Sequence, residues 1–394
     1  MALHTLFLVM GGILLIGLLT DELGRRTRLP RVTLLILFGI VIGPSGLDLI
    51  PSELQEWREF LAAMALTMVA FLLGGQLSLA TLRIHGKVIL SASLMVIVAT
   101  AIIVGSGLIA MGLSVSVALL LAGISTATAP AATQDVVRQA GAKGPFTTIL
   151  LGIVAVDDAW GIIVFSLLLV TAKSLAGEGG AEVLLQGLWE LGGAACIGIA
   201  LGLPAAFLTG RLQQGEPIQL EALGLVFICA GLAIWLEVSY LLAGIVLGAC
   251  IVNLAKHHSR PFHEIEHIEW PFMVFFFLLA GASVQLDLIV EIGFIGAGYI
   301  LLRFSGRMIG GLIGGSLGGA AKLHTRWLGL ALMPQAGVAL GMAIVAANQF
   351  PAQGQTILAV TVGATVIFEL FGPVLTMLAL RNVGEVAESL PSDE

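Results

Sequence analysis

Long apolar blocks alternate with short polar stretches along this chain. A helix needs about 20 mostly apolar residues to cross the hydrocarbon of a bilayer, and on that criterion the pattern predicts about thirteen crossings. They fall near 3–19, 31–50, 59–80, 87–111, 114–138, 146–172, 183–209, 218–236, 239–255, 269–286, 289–320, 326–348 and 354–380. The first block follows no basic leader and precedes no small-residue cleavage site, so Leu3 to Leu19 is read as a retained span. Charge alternates with the blocks. Arg25, Arg26, Arg28, Arg31, Arg83, Lys87, Arg138, Lys143, Arg211, Lys256, Arg260, Lys322, Arg326 and Arg381 fall on one side, and Arg58 and Lys173 on the other. Cytoplasmic loops carry the excess of Lys and Arg, which places the N-terminus outside and the C-terminus in the cytoplasm. A missed or invented crossing would scramble this alternation, so it supports the count.

Two blocks carry helix breakers at mid-depth. The fifth reads GISTATAPAATQD (Gly123 to Asp135), with Pro130 among hydroxyl residues; the twelfth reads MPQAGVALG (Met333 to Gly341), with Pro334 and Gln335 close to Gly337. Proline removes a helical hydrogen bond and clashes with the preceding turn. Unsatisfied backbone is tolerated in a membrane only where protein or a wet cavity covers it, so both spans are expected to be broken at the midplane. They lie seven crossings apart, as do the sixth and thirteenth blocks. An odd offset reverses direction, which predicts an all-α polytopic membrane protein built on six-helix inverted-topology repeats with two crossed discontinuous helices.

Composition fits this picture: 58% of the 394 residues are hydrophobic, 11% are charged, and mean hydropathy is +1.04. A net charge of −7 with no Lys/Arg run gives no sign of a nucleic-acid partner. Cys196, Cys229 and Cys250 form no CxxC pair and read as packing residues. No cofactor and no enzymatic activity are expected.

The chemistry concentrates on few residues. Asp157 and Asp158 sit adjacent in IVAVDDAWGIIVF, Glu369 lies in VIFELFGP, and Arg303 and Arg307 share one face of the eleventh span. A charge at bilayer depth costs about 2.5 to 3.5 kcal/mol on insertion scales, so these groups need partners or a function. Neighbouring helical residues point about 100° apart, so the two aspartates serve different roles. Arginine stays protonated and needs acceptors. The expected arrangement pairs Asp157 with Arg307 and Glu369 with Arg303, leaving Asp158 facing water. Burial disfavours a charged carboxylate, so such a group can hold a proton near neutral pH and release it when a cation arrives. Hard monovalent cations take oxygen ligands, here Ser125, Thr126, Thr128 and carbonyls of the broken fifth span. Proton and monovalent cation competing at Asp158, exposed alternately to each side, is the minimum of an antiporter. An ion-pair knot that only pins helices is the plain alternative, but two broken helices converge on the same depth.

The chain resembles the cation/proton antiporter superfamily, in the sodium/hydrogen exchanger branch with an aspartate pair on the sixth span. The resemblance rests on the order and spacing of LLILFGIVIGPSGL (Leu34 to Leu47), FLLGGQLSL (Phe71 to Leu79), VDDAWG (Val156 to Gly161), FFFLLAGASVQLDL (Phe275 to Leu288) and RFSGRMIGG (Arg303 to Gly311). It implies a homodimer with scaffold helices in 1–85, a mobile core in 86–173, a linker helix and more scaffold in 174–288, core again in 289–381, and a cytoplasmic tail in 382–394. It also implies elevator-like movement, ion binding by Asp158, pairing of Arg307 with Asp157, and a bacterial or archaeal inner membrane as location. Two departures stand out: Ala129 where many relatives carry an acid before the proline, and Arg307 where some carry lysine. His257, His258, His263 and His267 fall in predicted cytoplasmic loops and suggest pH sensing, with ordinary solvated histidines as the plainer reading.

Rival functions fit less well. A sodium-coupled organic anion carrier needs a spare intramembrane cation, and none is left over. An intramembrane aspartyl protease needs two acids across one gap and a GxGD string, which the chain lacks. A cation channel would show flux beyond carrier rates. Between sodium and potassium the sequence offers no discrimination.

Overall fold

The structure, a computed structural model, describes residues 3–27, 29–44, 46–50, 57–176, 181–208, 218–255, 259–282, 293–335 and 337–386. Among these residues there are 15 helices and no strand. In chain order they are α1 Leu3–Thr27, α2 Arg31–Ile42, α3 Arg58–Gln76, α4 Leu79–Ala110, α5 Val115–Ile124, α6 Pro130–Gln139, α7 Pro145–Leu175 and α8 Ala181–Leu208. They continue as α9 Ile218–Trp235, α10 Tyr240–Leu254, α11 Ser259–Ala282, α12 Gly293–Gly318, α13 Lys322–Ala331, α14 Gly337–Gln349 and α15 Pro351–Val383.

The fifth and twelfth apolar blocks are each split in two, α5/α6 and α13/α14. Pro130 is not buried inside a helix; it takes the first position of α6, where its missing N–H costs nothing and its fixed φ suits a helix start. Pro334 lies in the interruption between α13 and α14. The two interruptions touch: the Ala129 N–H donates to Pro334 O at 3.0 Å.

Glycine sets the closest helix pairs. Gly306, Gly310, Gly314 and Gly318 recur every four residues on α12, and an added Cβ at each would lie 2.5–2.6 Å from the Cα of Thr100, Val96, Ala92 and Val88 in turn on α4. Small residues let antiparallel backbones approach this closely without a soluble protein's hydrophobic drive. A second group packs the same way: Gly74 of α3 against Ile245 of α10, Gly39 of α2 against Leu278 of α11, and Gly198 of α8 against Val246 of α10. Helix α7, which carries the aspartates, is capped from a distance. The Glu385 carboxylate accepts from Phe146 N at 2.8 Å and Thr147 N at 2.7 Å, filling donors that a helix N-terminus leaves free.

Several boundaries differ from the hydropathy blocks. Helix α2 stops at Ile42, and residues 46–50 turn back on it, with Leu47 N donating to Val41 O at 2.8 Å. Helix α11 begins ten residues before its block, because it continues beyond the apolar segment with polar residues. Consequently His263 and His267 are exposed residues of α11 and not of a loop. His257 and His258 lie outside the described residues.

Candidate functional site: a buried charge cluster at the crossing of two interrupted helices

Residues 125–129 and 332–335 leave the helical path, which frees the carbonyls that end α5 and α13. Two arginines one turn apart on α12 take them up. Arg303 donates from Nε to Ser125 O (3.0 Å), from Nη1 to Met333 O (2.9 Å) and from Nη2 to Ala127 O (2.8 Å). Arg307 donates from Nη2 to Thr126 O (2.5 Å) and Ala127 O (2.9 Å). Both side chains are fully buried. The negative ends of the two half-helices meet fixed cations, with Arg307 Nε left buried and unpartnered.

Asp157 completes the cluster. Its Oδ1 accepts from Ser93 Oγ at 2.6 Å, and its Oδ2 lies 3.4 Å from Arg307 Nη1. Asp158 follows on α7, and its side chain lies outside the described residues. The ion pair expected between Arg303 and Glu369 is absent: every Arg303 nitrogen is engaged by a carbonyl, and its Cζ stacks 4.2 Å from the ring of Phe368, the residue before Glu369. Glu369 is buried, on the face of α15 where Gly372 packs against Pro334.

The expected oxygen ligands divide. Ser125 Oγ and Thr126 Oγ1 donate back to Ala122 O (2.6 Å) and Gly123 O (2.7 Å), and the carbonyls of residues 125, 126 and 127 are taken by the arginines. Thr128 Oγ1 is buried with no hydrogen-bond partner. Gln335 Nε2 donates to Ile124 O at 3.3 Å, a tie between the two interruptions, and its Oε1 is buried with no hydrogen-bond partner. Gly337 opens α14. Trp160 Nε1 is buried without a partner.

A cavity of about 440 Å³ reaches this crossing. Its lining includes Thr128, Ala129 and Pro130 at the crossing, Ile162, Phe165, Ser166 and Leu169 of α7, Met342 of α14, and Leu66, Leu241 and Phe277. Residue 158 lies one helical turn before Ile162 on α7. Glu190 of α8 is the acid among the described lining residues.

Sequence reasoning missed Ser93, one of two serines, Ser91 and Ser93, in an otherwise apolar stretch of α4. It also missed a second charged cluster, at the ends where the basic stretches gather. Arg31 binds Asp135 there, with Nε 2.9 Å from Oδ1, and Arg138 pairs with Glu269.

A family model described as the transmembrane sodium/hydrogen exchanger matches residues 11–381. The chain belongs to the sodium/hydrogen exchanger family. As a member it is an integral membrane antiporter exchanging cations for protons, not an enzyme. A curated relative, the ammonium/H(+) antiporter subunit AmhT of Alkalihalophilus pseudofirmus, is 24% identical over 284 residues, 70% of each chain. Two solved structures of the sodium proton antiporter MjNhaP1 from Methanocaldococcus jannaschii share its fold. One, determined at pH 8, has a TM-score of 0.69 over 98% of this chain; the other, an electron-microscopy structure, has 0.73 over 99%. Both are matched over 100% of their own length at 20% identity.

Proposed function

We propose that the chain exchanges sodium, and lithium with it, for protons, by competition of the two at Asp158. The observation that carries this reading is the cavity ending at the crossing, with Asp157 engaged by Ser93 and Arg307 and with Thr128 Oγ1 unpartnered. Asp157 thus serves as the fixed counter-charge, and the next residue is the carboxylate that trades proton for cation. Thr128 adds an oxygen ligand, and Ala129 contributes none. Counting each interrupted pair as one crossing gives the thirteen crossings of the hydropathy pattern, in inverted repeats. The end bearing most cations faces the cytoplasm, and helices α4–α7 with α12–α15 move as the core against α1–α3 and α8–α11, which also form the dimer. Alternating access then carries the site, not the ion alone, across the barrier. His263 and His267 stand exposed on α11, and a pH-sensing role for them is the least supported part of this reading.

Exchange is tested in proteoliposomes carrying an internal pH dye, challenged with sodium, lithium, potassium and ammonium. The ammonium arm is suggested by the relative's name, the potassium arm by the absence of an acid at Ala129. Sodium and lithium are expected to evoke proton flux from the native chain and none from Asp158→Asn. Native-rate exchange by that variant overturns the assignment of Asp158, and flux evoked by potassium or ammonium in place of sodium overturns the choice of ion.

A further inference from the structure

The cavity and the second charge cluster lie at opposite ends of the same contact. At one end the cavity is lined by Thr128 and Ala129, by Pro130 to Ala132 of α6 and by Ile162, Phe165, Ser166 and Leu169 of α7, together with residues of α3, α10 and α11. At the other end the far part of α6 is tied down. Arg31, on α2, holds Asp135 with Nε at 2.9 and 3.0 Å from the two carboxylate oxygens, and Asp21 of α1 lies 3.6 Å from its Nη1. The Arg31 N–H donates to Gln139 Oε1 at 2.8 Å, and Gln139 Nε2 donates to Leu29 O at 3.2 Å. Arg138 pairs with Glu269 of α11, with Glu266 3.6 Å away, and Trp270 covers the Arg31 guanidinium at 3.6 Å. Asp135 and Glu269 are only 3% and 4% exposed, so water screens these pairs little.

We infer that Arg31–Asp135 and Arg138–Glu269 form a latch that closes the basic end of the transport path in the state seen here, and that the latch opens in every cycle. Helix α6 begins at the crossing with Pro130 and reaches Arg138 eight residues later, about 12 Å at 1.5 Å per residue. One rigid half-helix therefore connects the site to the latch, and it cannot shift along α2 and α11 while both pairs hold. A path open at one end and bolted at the other is one of the two states that alternating access requires. The positioning residues are Arg31, Asp135, Arg138 and Glu269; none contacts the cation.

This inference rests on the antiport reading, and the two fail differently: no exchange by the native chain removes that reading, whereas normal exchange untouched by the latch removes only the latch. Removing one partner should depopulate the latched state. For Glu269→Gln in vesicles of known orientation, the KM for the cation should rise roughly three- to ten-fold on the cavity side and fall on the basic side, because apparent affinity scales with the competent fraction. Reversing the pair with Arg138→Glu and Glu269→Arg together should bring both values back toward native, a rescue that a merely destabilised protein would not give. As a second arm, a disulfide joining Arg138→Cys to Glu269→Cys should stop exchange when oxidised and restore it on reduction. Opposed KM shifts and a reversible block support the latch; KM values that stay put on both faces, or native-rate exchange by the oxidised pair, overturn it.

Discussion

The hydroxyl of Thr128 is buried without a partner, while those of Ser125 and Thr126 close onto carbonyls three residues back. A cation arriving at the crossing meets the first as an open oxygen and the others as groups whose protons are already committed. Thr128→Ala is therefore expected to raise the KM for sodium several-fold, up to about ten-fold, since one polar interaction is worth about 0.5–1.5 kcal/mol. Thr126→Ala should change it by less, because its oxygen mainly rounds off the end of α5. Initial rates against sodium concentration check this, and equal effects of both substitutions would refute it. Sequence gave both residues the same standing, since TAT shows three consecutive small residues and not which hydroxyl turns back on its own helix. Asp157 with Arg307 was readable because neither charge tolerates hydrocarbon. The partner of Arg303 was not, because carbonyls freed by a break in the helix are invisible to a list of acids and bases.

At the level of helices, the four-residue glycine ladder of α12 holds Arg303 and Arg307 at the crossing by seating α12 directly on α4. Gly310→Leu inserts a side chain where a Cβ alone would sit 2.5 Å from Val96 Cα, with backbone rather than a flexible tip in the way. Overpacking of this kind costs about 1–3 kcal/mol, and here it also draws the guanidinium groups off their carbonyls. The expected result is a lower Tm in detergent together with loss of exchange. Ile309→Leu, on the exposed side of the same turn, should leave both unchanged. The hydropathy pattern located these elements well and their ends poorly. Crossings are set by apolar length, whereas ends depend on distant capping, such as Glu385 on α7, and on polar turns that extend α11 past the apolar block. Proline alone was no guide to breaks. Pro204, Pro271 and Pro373 lie inside continuous helices, and only the prolines accompanied by hydroxyl or glycine-rich stretches mark interruptions.

For the molecule as a whole, the number of charges moved per cycle follows from which groups at the crossing can change protonation. Arginine keeps its proton, so Arg303 and Arg307 are taken as charged throughout the cycle; carbonyls hold all three Arg303 nitrogens, and Asp157 and carbonyls hold Nη1 and Nη2 of Arg307. Asp157 has both oxygens engaged, and Glu369 does not line the cavity. On the proposed reading Asp158 trades one proton for one monovalent cation, so the core would carry the same net charge in each direction. A membrane potential acts on moved charge at about 2.3 kcal/mol per 100 mV for each elementary charge, and with none moved it has no grip. We therefore expect electroneutral exchange. Proteoliposomes polarised with a thiocyanate gradient, which avoids potassium as a competing substrate, should show the same end-point of sodium-evoked pH change at either sign of potential. An end-point that follows the potential would mean a second proton crosses with each cycle, and Glu369 would then be the buried acid to replace first.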